Sequence, residues 1–109
     1  MVFGITSSAS AQADGPTICV DGACVWFQAE GEHFYVSDTK ADGHSAYVQI
    51  QVPAVGIYTK AWNTQGYNTT LDYNASYGEG NTVYYRACIG EWSDKSEIAC
   101  NPGYTHGTS

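Results

Sequence analysis

Positive charge is scarce in this chain. Lys40, Lys60, Arg86 and Lys95 face eleven Asp and Glu, which leaves a formal charge of -7. So few cations cannot neutralise a phosphate backbone or hold an anionic bilayer, so nucleic acid and membrane are not expected partners and a neutral or basic one fits better. Long apolar runs are missing as well. No stretch approaches the roughly 18 to 20 apolar residues of a membrane-spanning helix. No window combines a helical period with a cap at each end. The C-x2-C pairs of zinc ribbons are absent, and His33, His44 and His106 have no second His or Cys at ligand spacing. No catalytic set, metal site or cofactor is therefore expected, and the three histidines read as surface or turn residues.

What is present is one domain's worth of chain, rich in aromatics. The 109 residues include nine Tyr and three Trp, and no second composition block or long linker divides them. That supplies a modest core, which external staples would help. The first thirteen residues are small and weakly apolar and end in Ala11-Gln12-Ala13, the A-x-A shape read by signal peptidase. The expected organisation is a signal remnant over residues 1–13 and a secreted domain over residues 14–109.

Four Cys in a small exported chain imply two disulfides, with three pairings open in principle. Asp21-Gly22 is a turn dipeptide in the middle of Cys19-Val-Asp-Gly-Ala-Cys24, so Cys19 and Cys24 should close a short hairpin. Cys88 and Cys100 sit in two strand patterns separated by the polar stretch 90–96, so they should clip adjacent antiparallel strands. On the loop-entropy model the two bridges contribute about 2 and about 3 kcal/mol.

Strand patterns recur about every dozen residues: 23–29, 33–38, 45–52, 57–62, 71–77, 82–91 and 96–100. The alternation is cleanest at Ala46, Val48, Ile50 and Val52 against Tyr47, Gln49 and Gln51, and again at Val83, Tyr85, Ala87 and Ile89 against Tyr84, Arg86 and Cys88. About seven short strands predict an all-β fold, an immunoglobulin-like antiparallel sandwich with two disulfides. A barrel is the alternative.

Several small constellations have a bland reading. Glu30, Glu32 and His33 form a charged hairpin tip, and Asp38, Asp42 and Gly43 form a turn without the ligand spacing of a calcium loop. Asn68-Thr69-Thr70 and Asn74-Ala75-Ser76 match the glycosylation pattern by chance. Tyr84 and Tyr85 suit core packing or a tyrosine corner. Trp62, Tyr67, Trp92 and Tyr104 fall in or beside loops, where aromatics anchor interfaces or stack on sugars. The short arm Asp14 to Ile18 precedes the first Cys. Pro16, Thr17, Ile18, Trp62, Tyr67 and Trp92 are thus the candidate partner-binding residues.

The segments Asp38-Thr-Lys-Ala-Asp-Gly-His-Ser-Ala-Tyr-Val48 and Val83-Tyr-Tyr-Arg-Ala-Cys-Ile-Gly-Glu91 resemble small secreted proteins of actinomycetes such as Streptomyces. They cover about a fifth of the chain and contain no catalytic motif. The family resembled most closely in function is the small adaptor subunit of umbrella toxin particles. That resemblance implies a secreted, non-enzymatic adaptor between a lectin subunit and a toxin subunit, with the arm before Cys19 docking into a partner. Residues 88–102, ending Ala99-Cys100-Asn101-Pro102, also look like a disulfide segment of neocarzinostatin-type apoproteins, with the order of the disulfide loops reversed. That likeness implies a small-molecule carrier. A third expectation is an inhibitor of a secreted hydrolase, presenting the braced loop 90–96 around Trp92.

Overall fold

A computed structural model describes residues 11–109; most of the expected signal remnant, residues 1–10, lies outside the described residues. The described chain folds into nine strands: β1 (Gly15–Val20), β2 (Ala23–Gln28), β3 (His33–Asp38), β4 (Ser45–Val52), β5 (Ile57–Asn63), β6 (Thr70–Asn74), β7 (Thr82–Glu91), β8 (Ser96–Cys100) and β9 (Thr105–Thr108). A 3-10 turn at Pro53–Val55 joins β4 to β5. Two antiparallel sheets result, one in the order β1-β2-β3-β6 and one in the order β5-β4-β7-β8, with β9 also on β7. β3 pairs with β6 and β4 with β7 across intervening strands, the Greek-key crossover of an immunoglobulin-like sandwich. The all-β expectation holds, and the two strands beyond the expected seven are β1 and β9.

β7 is ten residues long and carries two neighbours on one side. Its first half pairs with β9 (Tyr84 opposite His106) and its second half with β8 (Cys88 opposite Cys100). Asn101 makes this handover. It exchanges bonds with Ala87 through its backbone N–H (3.0 Å) and its Oδ1 (2.8 Å), and its Nδ2 donates to the Cys19 carbonyl. One side chain thus closes a gap in the ladder and ties the first hairpin to the second sheet.

The alternation seen in the sequence is the core. Ala46, Val48, Ile50 and Val52 of β4 and Val83, Tyr85 and Ala87 of β7 are completely buried against Val25, Phe34 and Val36. Phe34 meets Tyr85 edge-on at 5.3 Å and lies tilted on Phe27 at 4.8 Å, both favourable aromatic geometries.

The free arm expected before Cys19 is instead built into the sheet. From Gly15 onward it is β1, paired with β2, and Ala13 exchanges backbone bonds of 3.0 and 2.8 Å with Thr108. The Tyr85 hydroxyl explains why: it donates to the Pro16 carbonyl and so holds the segment down. Gly15 makes room for that ring, since a Cβ there would stand 2.1 Å from the Tyr85 oxygen. Tyr85 is therefore a latch for β1, not a tyrosine corner. Pro16 and Thr17 remain exposed at a bulge between Gly15 and Ile18, while half-buried Ile18 packs on the core.

Candidate functional site: the outer face of the five-stranded sheet

Residues of one pleat face form a grid on β7, β4 and β5. Tyr84, Gln51 and Tyr58 make the first row, Arg86, Gln49 and Lys60 the second, and Cys88, Tyr47 and Trp62 the third. Such a solvent-facing row normally stays wet. Here Tyr47 is completely buried, because the Trp62 ring stacks on it at 4.1 Å. Lys60 Nζ lies 5.4 Å from the same tyrosine ring, and Cys100 Sγ is 3.7 Å from its hydroxyl. Burial, with the Glu97 carboxylate adding to it, pushes the Tyr47 hydroxyl up to about 12, so it stays protonated at neutral pH.

Gly90 is what lets the tryptophan lie flat. A Cβ there would be 2.3 Å from the Ser96 carbonyl oxygen and 2.9 Å from Trp62 Cη2. Trp92, in the turn between β7 and β8, meets Trp62 edge-on at 5.7 Å. Its own face is covered by Lys95, whose Nζ sits 3.5 Å from the ring centre and donates to the Trp92 carbonyl at 3.0 Å. Trp92 nevertheless stays 46% exposed. Trp62 and Trp92, thirty residues apart in sequence, thus form one braced cluster.

The disulfides are Cys19–Cys24 and Cys88–Cys100, as the turn chemistry predicts. The second lies in the third row of the grid, beside Tyr47. Tyr104 is also part of this face. Its ring lies 4.9 Å from the Arg86 guanidinium, and its hydroxyl accepts from Gln51 Nε2 at 3.1 Å.

The other candidates go elsewhere. Tyr67 is 58% exposed in the loop between β5 and β6, where it lines a concavity of about 430 Å³ with Lys40, Asp42, His44 and Gly66. Pro16, Thr17 and Ile18 belong to the four-stranded sheet. Two of the three histidines have local roles: His33 pairs with Asp72 at 2.6 Å and His44 with Glu91. Asp42 accepts from the His44 N–H at 3.0 Å and acts as a turn residue. Gln49, Gln51, Tyr58 and Lys60 were not singled out by sequence reasoning. Their signal is the outward half of the β4 alternation, which reads as ordinary wet surface until the cross-strand register is known.

The fold and face define a class, a disulfide-braced immunoglobulin-like sandwich with an aromatic outer sheet. No family model, curated protein or solved structure matches the chain.

Proposed function

We propose that this chain is a secreted, non-enzymatic protein-binding domain that works as an adaptor and takes its protein partner on the Trp62–Trp92 cluster. The observation that carries this reading is the bracing of that cluster. Gly90, Tyr47 and Lys95 hold two tryptophans in place while leaving nearly half of Trp92 open. Tryptophans ordered before binding lose little entropy on association, and Trp is the residue most enriched at interface hot spots. Exposed Ile98 adds apolar area on β8. Two disulfides in a small β domain suit an oxidising compartment, which supports secretion. The resemblance to umbrella toxin adaptor subunits supplies a candidate setting in which lectin and toxin subunits are the partners. The carrier reading gains nothing from the space between the sheets, which Phe27, Phe34 and Tyr85 fill.

The test is a pull-down from culture supernatant with the tagged domain and its Trp92→Ala variant. Trp92 lies in a turn, so the variant should keep its fold. Wild type should recover a protein, and W92A should bind it about 30-fold more weakly, the effect of losing a 2 kcal/mol hot spot. Recovery of the monomer alone, or equal recovery by both proteins, overturns the reading.

A further inference from the structure

Beginning about 7 Å along β5 from Trp62 at Lys60 and reaching about 13 Å at Tyr58, at 3.3 Å per residue, the same face carries a second constellation. Gln49, Gln51, Tyr58 and Lys60, with Ile50 and Thr59, line a shallow depression of about 110 Å³. Two amides there have hydrogen-bonding capacity to spare, and the first is fixed in orientation. Arg86 can only donate, and its Nε binds Gln49 Oε1 at 2.8 Å, which leaves Gln49 Nε2 as a donor without a partner among the described residues. The Gln51 amide pairs through Nε2 with the Tyr104 hydroxyl at 3.1 Å; a phenol both donates and accepts, so rotation of this amide presents either its carbonyl or its NH2 outward. Arg86 closes the ring of contacts by lying against Tyr104 and by donating to the Asn101 carbonyl at 3.0 Å. Beside these two amides, Tyr58 stands 66% exposed. Among the described residues, no carboxylate lies within 4 Å of the Lys60 ammonium.

We propose that this depression is a binding site for a neutral saccharide, separate from the protein-binding cluster. A pyranose rests its C–H face on Tyr58, one hydroxyl pairs with the outward end of the Gln51 amide, and another accepts from Gln49 Nε2 or Lys60 Nζ. The chemistry selects this ligand. A purely apolar molecule would leave both amides unpaired, at a desolvation cost. A polyanion would meet a chain of formal charge -7. A hydroxyl is both donor and acceptor, so sugar hydroxyls satisfy an amide in either orientation, and an aromatic ring is the usual partner for the apolar face. A domain with both sites would bridge a protein and a glycan through one sheet.

The test is a ¹H–¹⁵N NMR titration of the full chain with cellobiose, maltose and N,N′-diacetylchitobiose, each at millimolar concentration. At least one should shift the side-chain amide signals of Gln49 and Gln51. Tyr58→Ala should weaken that binding about tenfold or more, whereas Tyr58→Phe, which keeps the ring, should stay within about twofold of wild type. The proposal is overturned if no probe moves these signals in the folded domain, or if Y58A binds as wild type does. Protein capture by Y58A, measured in parallel, should be unaffected. Capture and saccharide binding therefore fail independently.

Discussion

The two sheets treat their outer faces differently, although each carries a disulfide and a stack of aromatic rings. On the four-stranded sheet, Trp26 stacks on Tyr35 at 5.4 Å and His33 stacks on Tyr35 at 5.9 Å, and all three stay half-buried. His33 at one end of this stack pairs with Asp72. On the five-stranded sheet, Tyr47 is completely buried under Trp62, and the polar groups form a linked network with amide capacity left over at Gln49 and Gln51. The five-stranded face thus adds a small outer core, and both proposed binding sites rest on it.

The largest effect that separates the faces should be Tyr47→Ala against Tyr35→Ala. Removing Tyr47 empties a buried site and undercuts Trp62, and a buried aromatic truncated to Ala costs about 3–5 kcal/mol. Tyr35 is partly solvated, so its removal should cost about 1 kcal/mol, its share of aromatic pairing. Urea denaturation of the two variants gives the comparison directly. Equal costs would mean that the five-stranded face has no outer core.

The staples should differ in the same direction but less. Replacing Cys88 and Cys100 by Ala opens a 12-residue separation and should cost about 3 kcal/mol; replacing Cys19 and Cys24 opens one of 5 and should cost about 2 kcal/mol. Cys88 is also completely buried beside Tyr47 while Cys19 is exposed. The first pair should therefore exceed the entropy difference alone. Thermal melts of the two double variants measure the gap, and a costlier loss of Cys19–Cys24 would contradict it.

Much of this contrast can be traced to the sequence, and the rest cannot, for physical reasons. The disulfides were legible because Asp21-Gly22 and the polar stretch 90–96 are turn chemistry local to each pair. The core was legible because alternation along β4 and β7 is a one-strand property. The grid was not, because it depends on which residue of β5 stands opposite which residue of β4, and that register is set by packing across the sheet. Strand β1 was missed for a related cause. Pro16 weakens the strand pattern, and the tyrosine that holds the segment in place lies 69 residues away. Tyr67 read the same as Trp62 in sequence, yet the fold places it in a different concavity.

The smallest effect concerns the inward side, where each sheet buries one polar residue. Asn63 of the five-stranded sheet is neutral and fully engaged: Nδ2 donates to the Val36 and Thr69 carbonyls at 3.0 and 3.1 Å, and Oδ1 accepts from the Gln65 N–H at 2.9 Å. Asp38 of the four-stranded sheet is 2% exposed, and its carboxylate accepts one long bond of 3.3 Å, from the Lys40 N–H. Burial raises its pKa above the ordinary carboxylate value, opposed in part by that bond and assisted by the nearby Asp42. A carboxyl whose folded pKa is raised contributes stability while it is protonated, below its unfolded pKa. That contribution is lost as pH climbs through the folded pKa. Asp38→Asn should therefore stabilise the domain at neutral pH. Its advantage should shrink as pH falls through the acidic range and Asp38 itself becomes neutral. Paired urea melts of wild type and variant at neutral and acidic pH test this, and an advantage that grows on acidification would show that the carboxylate is stabilised where it stands.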